Sequence, residues 1–123
     1  LLTFINHFPR TPIICAHWGG GLPFYNLMPE IASSLKNVYF DTAATPYLYD
    51  PSIFQIVPTL LPYSHILFGT DYPLMPQTRV LQQLTKVSLS SKVRDGILGY
   101  NAAQLMGLPI ISSAAKPKLN TLL

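Results

Sequence analysis

The chain has 123 residues, of which 49% are hydrophobic, so it is long enough and apolar enough for one domain with a sizeable core. Only 11% of the residues are charged, against roughly 25% in ordinary soluble domains, which indicates that a partner or the rest of a larger domain covers part of the surface. The formal charge of +3 comes from eight scattered Lys and Arg, and the apolar runs are short. Neither nucleic acid nor a membrane is therefore the expected partner.

The start of the chain and its cysteine content bear on its origin. The first residue is Leu1 rather than Met, and residues 1–8 lack the features of a signal peptide, so we expect a piece of a longer polypeptide. The single cysteine, Cys15, lies inside an apolar run and has no second cysteine for an internal disulfide. We expect an inert core thiol in a reducing compartment, which favours a cytoplasmic location.

The first half of the chain predicts two strands and short helices. Residues 1–8 have apolar side chains at helical spacing and predict the last turns of a helix. Strands are predicted for residues 12–17 (PIICAH) and 37–43 (NVYFDTA), with a helix between them over residues 28–35 that carries Pro29 in its first turn. The Pro-rich stretch 45–62 predicts at most a short helix near residues 52–57.

The second half predicts one more strand and then helices only. Residues 65–71 (HILFGTD) form the third strand candidate, and residues 77–87 have an apolar helical face. Ser90 or Ser91 can cap the next helix, and Asn101 can cap a final helix that Gly107 closes. From residue 111 onward a Ser, Ala and Lys tail is expected to pack poorly. We therefore assign residues 1–110 to the folded domain and residues 111–123 to the tail.

Each predicted strand ends on a polar residue: His17, then Asp41 with Thr42, then Asp71. Apolar strands that alternate with helices are typical of βαβ units in a parallel sheet, where sites collect at the carboxyl ends of the strands. Asp71 follows His17 by 54 positions, or two such units. We therefore expect His17 and Asp71 to face one shared pocket.

His17 and Asp71 also have ordinary explanations, because a strand-end histidine can bond a backbone carbonyl and an aspartate before a turn often bonds nearby amides. The three glycines that follow Trp18 favour close approach of a ligand instead. These glycines do not match a phosphate-binding motif, and no G-x-S-x-G is present, which disfavours a flavodoxin-like nucleotide domain and a serine hydrolase. His65 and His7 are expected to be structural or solvated.

Four segments together resemble the C-terminal portion of the amidohydrolase-related family, which includes aminocarboxymuconate-semialdehyde decarboxylase: AHWGGGLP, NVYFDTA, LFGTDYP and ILGYNAAQLMGL. The resemblance implies an α/β fold, namely strands six to eight of a distorted (β/α)8 TIM barrel with their helices. It also implies that Asp71 binds a divalent metal, expected to be zinc, and that His17 positions or deprotonates the water on that metal. The family's first-strand H-x-H and its strand-five histidine have no counterpart here.

Two functional hypotheses follow. In the first, the chain is part of a metal-dependent hydrolase or decarboxylase (a carbon–carbon lyase) that acts on a small organic acid or ring compound, with His17 and Asp71 as catalytic residues. In the second, it is a catalytically incompetent fragment that acts only by packing with another chain, either a missing N-terminal half or a second copy. A single carboxylate is short of the three protein ligands usual at catalytic zinc, so the isolated chain is expected to be inactive. An upstream reading frame with H-x-H would discriminate the two hypotheses.

Overall fold

The computed structural model describes residues 1–110, and the predicted tail from residue 111 lies outside the described residues. Its centre is a parallel sheet of three strands in the order β1-β2-β3, with β1 at Ile13–Cys15, β2 at Val38–Asp41 and β3 at Ile66–Leu67. Ile13 pairs with Val38, and Phe40 pairs with Ile66. The predicted parallel arrangement is confirmed, although each strand is shorter than its predicted range.

Helices connect the strands and follow them. The seven α-helices of residues 1–110 are α1 (Leu2–His7), α2 (Pro29–Ala32), α3 (Thr45–Leu48), α4 (Ile53–Leu60), α5 (Gln77–Thr85), α6 (Ser91–Asp95) and α7 (Asn101–Leu105). Tighter 3-10 turns occupy His17–Leu27, Ser33–Asn37 and Tyr63–His65, and a π-helical turn occupies Gly96–Tyr100. All the predicted helices are present, and α3 in the Pro-rich stretch is an addition that the sequence did not predict.

Two of the three predicted helix-end roles are confirmed. The Ser90 side chain accepts a hydrogen bond from the Val93 N–H at 3.3 Å, so the predicted cap of α6 is confirmed. Gly107 has a left-handed φ of 66° beyond α7, which ends the helix as predicted. The predicted capping role of Asn101 is wrong, because Asn101 is the first residue of α7 and its amide donates to the Tyr63 and Ile66 carbonyls instead.

One face of the sheet is covered and the other is more open. Side chains alternate along a strand, so Val38 and Phe40 on β2 point into the core with Ile66 on β3. The register partners Ile14 and Tyr39 lie on the opposite face, where Ile14 is 55% exposed. The core fills the space between the covered face and the helices, and its largest members are Trp18, Phe40, Phe54, Ile66, Met75 and Ile97.

No helix within residues 1–110 is both long enough and apolar enough to span a bilayer.

Candidate functional site

His17 and Asp71 meet at the carboxyl end of the sheet. The Nε2 atom of His17 lies 2.7 Å from Oδ2 of Asp71, within hydrogen-bonding distance, although 54 residues separate them in the chain. Their side chains are 43% and 33% exposed, so both remain reachable from solvent. The prediction that the two side chains share one side of the sheet is confirmed.

The backbone carries both residues in an uncommon conformation. His17 has a φ of 56° and Asp71 a φ of 63°, both in the left-handed region that side chains other than glycine seldom occupy. The left-handed backbone continues through Trp18 and Gly19 to Gly21. Such local strain is retained only where surrounding contacts over-determine it, and it clusters at functional sites.

Trp18 anchors the turn that presents His17. Its indole is fully buried, packs edge-on against Phe54 with ring centroids 5.3 Å apart, and donates from Nε1 to Oγ1 of Thr45 at 2.8 Å. The Thr45 hydroxyl donates in turn to the Thr42 carbonyl. The turn after β1 is thereby tied to the end of β2, which fixes the position from which His17 projects.

Asp41 also belongs to the site, although the sequence analysis predicts it only as a polar strand end. Its Oδ1 atom accepts hydrogen bonds from the backbone N–H of His17 at 2.9 Å and of Ala43 at 3.0 Å. The contact with His17 depends on the parallel register of β1 and β2. The position of Asp41 at a strand end was the only sequence signal for it.

The Cys15 thiol lies beside this cluster but takes no part in it. Burial raises the pKa of Cys15, and the negative charge of Asp41 raises it further. Nucleophilic attack and metal binding both need the thiolate, which these effects disfavour. The buried position confirms the prediction of a core thiol.

The other two histidines lie away from the pair. His65 is at the opposite end of β3, where its Nδ1 lies 2.9 Å from the Val38 carbonyl oxygen and its ring stacks on Tyr39. It borders a cavity of about 310 Å³ with Tyr39, Ser64, Asn101, Gln104 and Leu105. His17 and Asp71 do not line this cavity. His7 is exposed near the end of α1, as expected of a solvated residue, and its Nδ1 lies 2.9 Å from the Thr3 carbonyl oxygen.

The residues of the site fit a metal ion only in part. Asp71 offers a carboxylate whose Oδ2 contacts His17, and this leaves Oδ1 as the oxygen for a cation. Within residues 1–110 there is no group of three His, Cys, Asp or Glu side chains that could hold a metal. A catalytic zinc normally has three protein ligands. Residues 1–110 could therefore supply one carboxylate ligand to a metal ion, but they do not form a complete metal site.

The class of this protein is shown by a match to the sequence model of a protein family. The amidohydrolase family model matches residues 1–108, so the chain belongs to the amidohydrolase family. The resemblance found in the sequence is thereby confirmed. A search of curated proteins found no match.

Solved structures with a similar fold include two decarboxylases. The 5-carboxyvanillate decarboxylase of Sphingomonas paucimobilis superposes with a TM-score of 0.71 at 18% identity, over 86% of this chain and 36% of that one. The 2,6-dihydroxybenzoate decarboxylase of Rhizobium has a TM-score of 0.68 at 19% identity, over 85% of this chain and 37% of that one. At these identities the likeness shows the fold.

A third similar structure contains zinc. It is an amidohydrolase of Burkholderia multivorans with bound zinc, with a TM-score of 0.58 at 17% identity, and the match covers 88% of this chain and 48% of that one. The chain thus spans 36% to 48% of the length of these three proteins. The similar structures include TIM barrels, and the three-stranded parallel sheet with its helices is consistent with part of such a barrel.

Proposed function

We propose that this chain supplies strands six to eight, with the His17–Asp71 half of the active site, to a metal-dependent amidohydrolase-family enzyme. The observation that carries the proposal is the 2.7 Å contact between His17 Nε2 and Asp71 Oδ2 at the carboxyl end of the parallel sheet. In α/β barrels the catalytic groups project from this end of the strands. A histidine paired with a carboxylate there is suited to holding and moving a proton.

The two residues take different roles. The Asp71 carboxylate would hold a divalent ion, expected to be zinc, while its Oδ2 lies against Nε2 of the His17 imidazole. Such an ion supplies Lewis-acid chemistry, either by polarising a substrate oxygen or by lowering the pKa of water. His17 acts as the general base or acid, and the carboxylate of Asp71 orients its imidazole. The remaining ligands belong to a part of the barrel outside residues 1–110.

Decarboxylation of a small aromatic acid is the reaction we favour. Two of the similar solved structures are named for the decarboxylation of 5-carboxyvanillate and of 2,6-dihydroxybenzoate. Hydrolysis is the second candidate, because the matching family model is that of an amidohydrolase. Protonation of an aromatic carbon and activation of water both need one proton-transfer group beside a metal, which the His17–Asp71 pair would supply.

A packing role without catalysis is the rival to both reactions. It is supported by the incomplete donor set of residues 1–110, which alone hold no three-ligand metal site. Under either view, the isolated 123-residue chain should bind zinc weakly and show no turnover. The two views differ for the native protein that contains this chain, which should be active only if the chain contributes to an enzyme.

Substitutions of the two residues in the native protein test the proposal. Asp71→Ala should abolish both metal content and turnover, because it removes a ligand and the partner of His17. His17→Ala should retain most of the metal and lower turnover by roughly 10²- to 10⁴-fold, as expected for loss of a general base. The measurements are elemental analysis for metal and release of carbon dioxide from a panel of hydroxybenzoates, with amide hydrolysis assayed beside it.

His7→Ala is the matched control, because His7 is exposed and its hydrogen bond is to the Thr3 carbonyl of its own helix. It should leave both measurements unchanged. The assigned roles are wrong if His17→Ala empties the protein of metal while Asp71→Ala leaves occupancy and rate intact. A native protein that has neither metal nor turnover would instead support the packing role.

A further inference from the structure

We infer that Asp41 and Thr42, at the end of the central strand β2, are positioning residues that hold His17 from one side and Asp71 from the other. The inference rests on the proposed function for its catalytic consequence. Its structural part stands on hydrogen bonds that can be measured without any activity.

The order of the strands creates the need for such residues. His17 follows β1 and Asp71 follows β3, and these strands are not neighbours because β2 lies between them. Adjacent strands are about 4.8 Å apart, so the ends of β1 and β3 are separated by roughly twice that distance. No ladder hydrogen bond can set the position of His17 relative to Asp71. The end of β2, by contrast, makes hydrogen bonds to the backbone on both sides.

Asp41 holds the His17 side. Its Oδ1 accepts from the His17 N–H at 2.9 Å, and this N–H belongs to the left-handed residue from which the imidazole projects. A carboxylate acceptor gives a stronger hydrogen bond than a neutral one. The same oxygen accepts from the Ala43 N–H at 3.0 Å, which fixes the Asp41 side chain in the turn that follows its own strand.

Thr42 holds the Asp71 side. Its fully buried hydroxyl donates to the Gly69 carbonyl at 3.0 Å and accepts from the Gly69 N–H at 3.1 Å, and its own N–H donates to the Leu67 carbonyl at 3.0 Å. These three bonds fix the backbone from β3 to a point two residues before Asp71. The hydroxyl thereby extends the contact between β2 and β3 beyond the last paired residues.

Asp41 and Thr42 both lie against Gly69. A Cβ atom on Gly69 would lie 3.1 Å from Cγ and 3.4 Å from Oδ1 of Asp41, so the carboxylate occupies the space beside this glycine. Asp41 therefore touches the segment that leads to Asp71 while it bonds to His17. Glycine at position 69 permits this close approach.

An ordinary turn could explain part of this geometry, and the chain contains a control for it. Asp50 accepts from the Ser52 N–H at 2.9 Å, the same two-residue contact that Asp41 makes with Ala43, but on an exposed turn away from the site. Asp50→Ala removes such a turn without touching His17 or Asp71. Asp41→Asn removes the charge of Asp41 but keeps an oxygen that can accept from His17.

The positioning role of Asp41 can be tested by amide hydrogen exchange and by enzyme kinetics, both on the native protein. In Asp41→Ala, exchange of the His17 amide should accelerate by about tenfold, as expected from loss of one hydrogen bond. The value of kcat should fall by roughly 10- to 100-fold with little change in KM, as expected for a residue that orients a catalytic group without contacting the substrate. Asp41→Asn should recover most of both effects, and Asp50→Ala should show neither.

Thr42 is tested by a pair of variants of similar size. Thr42→Val removes the hydroxyl and should accelerate exchange at the Gly69 amide and weaken metal binding by roughly 10- to 100-fold. Thr42→Ser keeps the hydroxyl and should resemble the parent. The inference is overturned if Asp41→Ala leaves exchange of the His17 amide within about twofold of the parent, or if Asp50→Ala changes it equally. These exchange results decide the inference even if the protein has no activity.

Discussion

The glycines after Trp18 have two separate reasons to be glycine. Gly19 and Gly20 have left-handed φ values of 58° and 64°, which a side chain disfavours by about 1–2 kcal/mol. Only Gly19 is also crowded, because a Cβ atom there would lie 2.9 Å from the buried ring of Phe40. At Gly20 no atom lies within 4 Å of such a Cβ. The requirement at Gly20 is conformational, whereas the requirement at Gly19 is also steric.

Alanine substitutions at these glycines should therefore differ in effect. Gly20→Ala should lower the free energy of unfolding by about 1 kcal/mol, from backbone strain alone. Gly19→Ala should lower it by roughly 2–4 kcal/mol, because overpacking against Phe40 adds to the strain. Urea unfolding of the two variants of the native protein measures both values. Equal losses would contradict the close approach of Gly19 to Phe40.

At the level of elements, the strands and most helices could be predicted because their signals are local. The apolar runs at residues 12–17, 37–43 and 65–71 correspond to β1, β2 and β3, and their spacing placed His17 and Asp71 together. Helix α3 could not be predicted from composition, because it begins after the left-handed Ala44 and contains only four residues, TPYL. Its position depends on buried contacts of Thr45 rather than on a helical apolar pattern.

The part of the site that could not be predicted is the part held by contacts between strands. Asp41 is 24 residues from His17, and Thr42 is 27 residues from Gly69. These contacts depend on which residues of neighbouring strands pair. The residue pattern does not determine this register, because a shift of the pairing moves every contact along the strand. Asn101 shows the same limit, because its local position suggested a cap while its side chain bonds to carbonyls 35 and 38 residues away.

Asn101 ties helix α7 to the start of β3, and its loss should be costly. Its Nδ2 donates to the Tyr63 carbonyl at 2.7 Å and to the Ile66 carbonyl at 2.8 Å, and the residue is buried. Asn101→Ala should lower the free energy of unfolding by roughly 2–4 kcal/mol. It leaves the Tyr63 and Ile66 carbonyls without their hydrogen-bond donor, and each unsatisfied buried acceptor costs about 1–3 kcal/mol. Chemical denaturation of the native protein measures the loss.

Gln104→Ala on the exposed side of the same helix is the control, and its effect should stay within about 0.5 kcal/mol. A loss at Asn101 no larger than that at Gln104 would show that the two carbonyls find other partners.

At the scale of the whole molecule, the sheet of residues 1–110 is open on both sides. Strands β1 and β3 each have one neighbour in this stretch, so one edge of each offers unpaired backbone groups. The less covered face carries Ile14, which is 55% exposed on a strand. Only 11% of the residues are charged, so little electrostatic repulsion opposes contact. These features favour association with further strands.

The isolated chain should therefore associate, as light scattering against protein concentration would show. Ile14→Lys should reduce the association, because it places a charge on the open face beside the edge of β1. Ile56→Lys is the matched control, since Ile56 is 43% exposed on helix α4 rather than on the sheet. A stable monomer at high concentration, or equal effects of the two lysines, would contradict this account.

The strand order also has a consequence for the sequence of events in folding. The order in the sheet is the order in the chain, so each strand pairs with the one that precedes it, through loops that join Ile13 to Val38 and Phe40 to Ile66. The hydrogen bond between His17 and Asp71 closes a loop of 54 residues, about twice as long as either of these. The entropic cost of closing this long loop is smaller once both shorter loops have formed. We therefore expect the His17–Asp71 pair to form during folding only after the three strands that carry it have paired.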